Sequence, residues 1–277
     1  MEYYKGVFKD KVAIVTGAAS GIGRAVSREL GRSGAVVVCV DIDDKDLKET
    51  VTSITEEGGV AQPVKLDVTD EKGVEALIKK TAIEQGRLDY VFNNAGMGVG
   101  GEVRDLKPEH WRKIIDVNLW GVVYGTNAAY RLMINQGFGH IVNTASLAGL
   151  APTPINTPYA LTKHAVVGLS TSLRAEGRDL GVKVSAVCPG VVDTNILYKS
   201  EMLKSDPKEA LALVMVKRMN VDKAAGDILK GVKKNKPIIV ITPHGKVLWR
   251  IQRLFPSINN FLALLAVREF RKIRVED

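Results

Sequence analysis

The chain has 277 residues, 45% of them apolar and 25% charged, with a formal net charge of +8; this composition excludes a disordered or fibrous protein. No run of about 18 uncharged apolar residues occurs, so no spanning helix is expected, and two cysteines with four scattered histidines give no metal-ligating cluster. The charge is local: positions 230 to 277 hold eleven Lys/Arg against three acids, a local +8, which leaves the first 229 residues near neutral.

Positions 12–16 form an apolar strand that delivers Gly17, Ser20, Gly21, Ile22 and Gly23 onto a helix expected from Arg24. A strand feeding a glycine-rich turn into a helix N-terminus makes a phosphate seat, because backbone N–H groups point outward and the helix end favours negative charge. The spacing is GxxxGxG, neither the GxGxxG fingerprint nor a Walker A loop. The second strand, 36–41, runs into Asp41. An acid there accepts both ribose hydroxyls of an adenosine and repels a 2′-phosphate, and no Lys or Arg occurs at 40–44, so NAD is expected over NADP. A plain helix-capping Asp is the alternative. The third strand, 61–67, ends in Asp67-Val68, where the carboxylate either reaches an adenine amino group or caps the next helix. The fourth, 90–93, ends in Asn94-Ala95-Gly96. Small residues there let the backbone touch a ribose, and the Asn94 amide fixes the turn.

Helical periodicity fills 24–32, 45–57 and 70–85 between these strands, with Thr69-Asp-Glu-Lys supplying a cap and early acids for the third helix. The alternation predicts a doubly wound parallel sheet with helices on both faces. Longer helical stretches follow at 108–135 and 159–180, with strands at 140–144, 183–188 and 237–241. Gly86, Gly137 and Gly181 read as C-caps. Asn118 lies mid-helix in an apolar setting, where it holds a water, bends the helix or is a satisfied core amide. Tyr159 and Lys163 stand one turn apart on one helix face. An ammonium and a bound nicotinamidium both favour phenolate, bringing a phenol closer to working pH. Ser146, following the 140–144 strand, is placed to hold a substrate oxygen toward that phenol.

Residues 191–220 form a mixed, Met- and Lys-rich insertion, either a substrate lid or a solvent-facing helix pair. One domain spans 1–245. The extension at 246–277 places Val247, Leu248, Ile251, Leu254 and Phe255 on an apolar face. Pro256 interrupts it, a second apolar segment at 259–267 follows, and then come Arg268, Arg271, Lys272 and Arg274. A basic amphipathic segment suits peripheral contact with a membrane surface; the same helices covering their own subunit or a neighbour is the alternative. No nucleic-acid-binding module is present, and no nucleic acid is expected. Cys39 and Cys188 read as core thiols of a reducing compartment, and the N-terminus lacks the apolar segment of a secretion signal, so a cytoplasmic protein is expected.

The motifs Thr16-Gly-Ala-Ala-Ser-Gly-Ile-Gly23, Asp67-Val68, Asn93-Asn-Ala-Gly96, Asn118, Ser146, Tyr159-Ala-Leu-Thr-Lys163 and Pro189-Gly190-Val-Val-Asp-Thr194 together resemble the short-chain dehydrogenase/reductase family, in its core type of about 250 residues. The resemblance implies a seven-stranded parallel sheet of Rossmann type and an NAD(P)-dependent oxidoreductase. It makes Tyr159 the general acid/base and Lys163 the residue that lowers its pKa and binds the nicotinamide ribose. Ser146 would orient substrate, and Asn118 would hold a water linking Lys163 to solvent. Ile22 would meet the pyrophosphate, Val191 with Thr194 the nicotinamide carboxamide and phosphate, and Pro189, Gly190 and Val192 would join them in binding the cofactor. Homodimers or homotetramers built partly on the helices carrying Asn118 and Tyr159 are implied as well. The residues expected around the reactive ring (Met97, Leu147, Ala148, Leu150, Ile155, Val192, Leu197 and Tyr198) are mostly apolar, and no cation but Lys163 lies near. A small lipophilic secondary alcohol or ketone is the expected substrate. A cofactor-binding scaffold or sensor without turnover is the alternative.

Overall fold

The structure, a computed structural model, describes residues 6–214 and 216–275. Residues 1–5, Met215 and the acids at 276 and 277 lie outside the described residues, and with them half of the stretch read for a secretion signal.

Seven strands, β1 (Val12–Thr16), β2 (Val36–Asp41), β3 (Val60–Lys65), β4 (Tyr90–Asn93), β5 (Gly139–Thr144), β6 (Val182–Cys188) and β7 (Ile238–Val240), form one parallel sheet. Their order is β3-β2-β1-β4-β5-β6-β7. Central strands read as unbroken apolar runs because both faces are covered: β1 is buried at all five positions and β6 at six of seven. Edge strand β3 has no buried residue and carries Pro63, whose missing N–H is tolerated at an edge.

The helices are α1 (Gly21–Arg32), α2 (Asp44–Glu56), α3 (Glu71–Gln85), α4 (Pro108–Ile115), α5 (Gly121–Gln136), α6 (Thr157–Glu176), α7 (Ile196–Lys199), α8 (Pro207–Ala212), α9 (Val221–Lys233), α10 (Pro243–Leu254) and α11 (Pro256–Ile273). Strand alternation sorts them. Ala13, Val15, Val37 and Cys39 pack with α1, α2 and α9, whereas Val12, Ile14, Val38 and Val40 pack with α3 and α5. Strand order reverses between β1 and β4, so a crevice opens at their carboxyl ends, the place where open α/β sheets bind ligands.

Several expected boundaries move. Helix α1 begins at Gly21, so two of the three motif glycines lie inside its first turn. β3 stops at Lys65, which leaves Asp67 beyond the strand, and Asp70, not Thr69, caps α3 by accepting from the Gly73 N–H. The single helix expected at 108–135 is three pieces, with a π-helical turn at Asp116–Trp120 between α4 and α5. Gly86 and Gly137 cap α3 and α5 in the left-handed conformation, whereas α6 already ends at Gly177 and Gly181 closes a following 3-10 turn. Within the insertion, Glu201–Met202 pairs in parallel with Val99–Gly100. No helix among the described residues is long and apolar enough to cross a membrane.

His140, at the start of β5, is almost wholly buried, and burial pushes its imidazole down to about 3. Its Nε2 lies 2.9 Å from the Ser185 hydroxyl, which itself donates to the Lys236 carbonyl at 2.6 Å. Ser185 therefore accepts, and Nε2 carries the proton of a neutral ring. The unfolded chain takes up a proton that the native state refuses, so stability is level above about pH 6.5 and falls as pH drops toward 3. Denaturant midpoints should decline between about pH 6.5 and 5 in the parent and stay flatter in His140→Asn; equal slopes would contradict this.

Candidate active site

Tyr159 and Lys163 rise from the first two turns of α6, and Ser146 leaves the end of β5 in extended conformation. The Ser146 hydroxyl stands close enough to the Tyr159 phenol to influence its proton, and it accepts from the Ala148 N–H at 3.1 Å. Burial pushes the phenol above its ordinary value, and the Ser146 contact pulls it part of the way back. Lys163 is 3% exposed, and desolvation lowers its ammonium to about 8. Its Nζ donates to the Thr144 carbonyl at 3.0 Å and stands 5.4 Å from the centre of the Tyr159 ring. The protein alone thus holds the phenol high: Lys163 is aimed at a carbonyl, and burial outweighs the hydroxyl. Behind Ser146, burial pushes the Cys188 thiol up to about 12, so this sulfur is an inert neighbour.

Asn118 is fully buried in the π-helical turn. Widening the helix there lets its amide pair with one residue twice: Oδ1 accepts from the Met97 N–H at 2.8 Å and Nδ2 donates to the Met97 carbonyl at 2.9 Å. A Cβ built on Gly96 would lie 3.2 Å from Asn118 Oδ1 and 3.6 Å from Lys163 Nζ. Three separate segments therefore bring Asn118, Gly96 and Lys163 together.

The glycine turn packs directly against Asn94 and Ala95, the residues that precede Gly96. Gly17 has φ +67°, and a Cβ on Gly23 would stand 2.0 Å from the Gly17 carbonyl oxygen and 2.7 Å from Asn94 Nδ2. Ser20 precedes α1 without a side-chain cap, and no acid occupies the first turn of the helix. The Thr194 methyl stands over Gly21. Asp41 accepts from the Ala19 N–H at 2.9 Å and from the Asp43 N–H at 3.1 Å. The cap of α2 is Asp43, so Asp41 is not the helix-capping residue, and its carboxylate turns toward the glycine loop. These groups fit a dinucleotide: a helix end for pyrophosphate, a carboxylate for one ribose, and an ammonium beside small residues for the other. Asp67, in contrast, is exposed, with Oδ1 taken by the Thr69 N–H and hydroxyl. Val68 packs against Gly121.

Two threonines that sequence reading missed join the halves. Thr16 Oγ1 accepts from the Asn94 and Ala95 N–H groups at 2.9 and 3.0 Å, and Asn94 Nδ2 donates back to the Thr16 carbonyl at 3.1 Å. Thr144 Oγ1 donates to Asn94 Oδ1 at 3.2 Å, and the Thr144 carbonyl receives Lys163. One relay thus runs across the ends of β1, β4 and β5. A threonine at the end of a strand reads locally only as a β-former.

On the substrate side, Ala148 is buried, and Leu150 packs toward the cluster of Val122, Ala145 and Val166. Leu147 and Leu197 are half-buried, the Val191 N–H donates to His244 Nε2 at 3.2 Å, and Val192 forms a parallel bridge with Met219. Tyr198 turns outward, its hydroxyl donating to Asp193 and accepting from Arg218. Ile155 adopts φ +69°, strained for a β-branched residue, while its carbonyl accepts from the Gly101 N–H at 2.6 Å. With Pro154, Thr157 and the 102–104 segment of Glu102, Val103 and Arg104 it lines a cavity of about 360 Å³ that Val267 and Arg271 of α11 also border, so this space is mixed apolar and charged. That helix is bolted down at its end: Arg271 forks onto Glu102 at 2.9 and 2.6 Å, Arg274 holds Asp105 at 2.8 Å, and the Val275 N–H donates to the Lys204 carbonyl. These guanidiniums hold both carboxyls below their usual range. The C-terminal half of the extension therefore covers its own subunit.

Comparison with known proteins agrees with this geometry. The family described as short chain dehydrogenase matches residues 11–203. The probable oxidoreductase EphD of Mycobacterium tuberculosis is 37% identical over 98% of this chain, which spans only 46% of that protein, so the chain is about half the length of these curated relatives. A short-chain dehydrogenase/reductase from Burkholderia phymatum in complex with NAD superposes with a TM-score of 0.83 at 29% identity, over 91% of this chain and 95% of that one. A short-chain dehydrogenase from Sphingobium yanoikuyae in complex with NADPH gives 0.77 at 26% identity, over 91% and 95%. Six of the seven sheet strands, the glycine turn and the residues Ser146, Tyr159 and Lys163 lie within the matched segment, and the chain belongs to the short-chain dehydrogenase family.

Proposed function

We propose that the chain is an NAD-dependent oxidoreductase that interconverts a lipophilic secondary alcohol and its ketone. The observation that carries this reading is the meeting of Ser146, Tyr159, Lys163 and Asn118 beside a crevice whose other wall is an uncapped, glycine-rich helix start. The nicotinamide ring, when bound, supplies the hydride acceptor or donor. Ser146 and Tyr159 hold the substrate oxygen between their hydroxyls, and Tyr159 takes the alcohol proton or returns it to the ketone. Lys163 keeps a positive charge beside the phenol in a partly dry site, and its link to Thr144 fixes where that charge sits.

Asp41 supports NAD. One relative in complex carries NAD and another NADPH, so likeness does not choose between them. A carboxylate aimed at the glycine loop would repel a 2′-phosphate. The apolar lining supports a lipophilic substrate. An oligomer fits the outer faces of α5 and α6, where Trp120, stacked on Tyr124, and Leu161 stand exposed, and two buried free thiols fit a reducing cytoplasm.

A panel of lipophilic secondary alcohols and ketones, followed by absorbance of the reduced cofactor with NAD and with NADP, tests the reading. Turnover with at least about a hundredfold preference for NAD is expected, and Asp41→Ser should erode that preference. Preference for the phosphorylated cofactor in the parent, or turnover only with anionic substrates, would overturn it.

A further inference from the structure

Helix α11 packs inward along one stripe, Asn259, Ala263, Val267 and Phe270, and leaves the opposite side bare. That bare side is apolar over its first turns: Ile258, Phe261, Leu262 and Leu265 all stand exposed, Phe261 by 58%. At the corner where α10 meets α11, Leu254 and Phe255 are exposed by 70% and 58%. Isolated exposed apolar side chains are ordinary, but a contiguous set of this size marks an interaction surface. Its rim is basic. On α10, Lys246, Arg250 and Arg253 share one exposed face at helical spacing, next to Val247 and Leu254, and Arg253 lies over the Trp249 ring. On α11, Arg268 and Lys272 continue the exposed side after the apolar turns. The one acid on these two helices, Glu269, is paired with Lys272 at 2.7 Å.

We propose that the α10–α11 hairpin docks this face onto an anionic lipid surface, sinking Phe255, Phe261 and Leu265 among the acyl chains while the cations meet lipid phosphates. Charge complementarity selects this occupant. Pairing with a second copy about a two-fold axis would bring together two faces of the same positive sign, with no unpaired acid on either helix to meet the cations. An interfacial helix instead wants this order of apolar face and flanking Lys/Arg. The anchored half of α11, clamped by Arg271 and Arg274 to the loop of Glu102 and Asp105, would hold the cavity beside Ile155 against the membrane, where a lipophilic molecule partitions. The docking itself stands independently of the catalytic reading.

Flotation of the full chain with phosphatidylcholine vesicles, with and without phosphatidylglycerol, tests it. Binding is expected only to the anionic vesicles and should weaken as salt rises. Arg250→Gln with Arg268→Gln should weaken it by about thirtyfold, since each cation near such a surface contributes roughly a fivefold increment. Phe261→Ser with Leu265→Ser should abolish it while leaving the melting temperature unchanged, which shows that the variant is folded. No binding to anionic vesicles, equal binding to neutral ones, or full binding by the apolar variant would overturn the proposal. So would absent vesicle binding together with a fall in sedimenting size in Phe261→Ser with Leu265→Ser, which would assign the face to a second copy.

Discussion

Replacing Tyr159 with Phe should lower kcat by roughly a thousandfold while leaving NAD affinity within a few-fold of the parent. The phenol oxygen is the group beside the Ser146 hydroxyl, and the residue is only half-buried. Removing one oxygen therefore deletes the proton carrier without opening a core cavity. Lys163 keeps its bond to Thr144, so the ammonium proposed to meet the cofactor's ribose is untouched. Steady-state kinetics with a fluorescence titration of NAD separates the two effects. A variant that turns over like the parent would return the site to a scaffold or sensor.

The second large effect belongs to the turn. Gly23→Ala should cost roughly 1–3 kcal/mol of stability and weaken NAD binding by about a hundredfold or more. The added methyl would stand 2.0 Å from the Gly17 carbonyl oxygen, a backbone atom that cannot swing aside, and 2.7 Å from Asn94 Nδ2. Moving Asn94 breaks its bonds to Thr16 and Thr144, so the disturbance travels along the relay to Lys163. Gly168→Ala is the internal control: it lies in α6, and a Cβ there meets nothing within 4 Å. That variant should be neutral or slightly stabilised. Melting curves and NAD titrations of the two variants side by side check the contrast, and a Gly23→Ala protein that binds NAD normally would contradict it.

Much of this architecture was legible because parallel strands buried on both faces leave unbroken apolar runs, as in β1, β2 and β6. The edge was read less well. Asp67 looked like a strand end because Val64 and Leu66 alternate apolar with polar, yet pairing with β2 stops at Lys65. Tyr159 and Lys163 were visible because helical spacing alone sets them on one face. Asn118 stood out as an oddity, but its pairing with the Met97 backbone depends on a π-helical turn that no local spacing signals. Thr16 and Thr144 were hidden for the same reason in a different form. Their partners lie far along the chain and meet only once β1, β4 and β5 are assembled. The ion pairs of Arg271 and Arg274 with Glu102 and Asp105 span 169 residues, so the tail's basic charge could be counted but not divided into clamp and open face.

A crystal structure of the chain with NAD tests the assembly most directly. The adenine ribose hydroxyls should lie on the Asp41 carboxylate, the pyrophosphate on the first turn of α1, and the second ribose on Lys163, with the reactive ring facing the Tyr159 hydroxyl. A dinucleotide held anywhere else, or one whose ring faces away from Tyr159 and Ser146, would contradict the assignment.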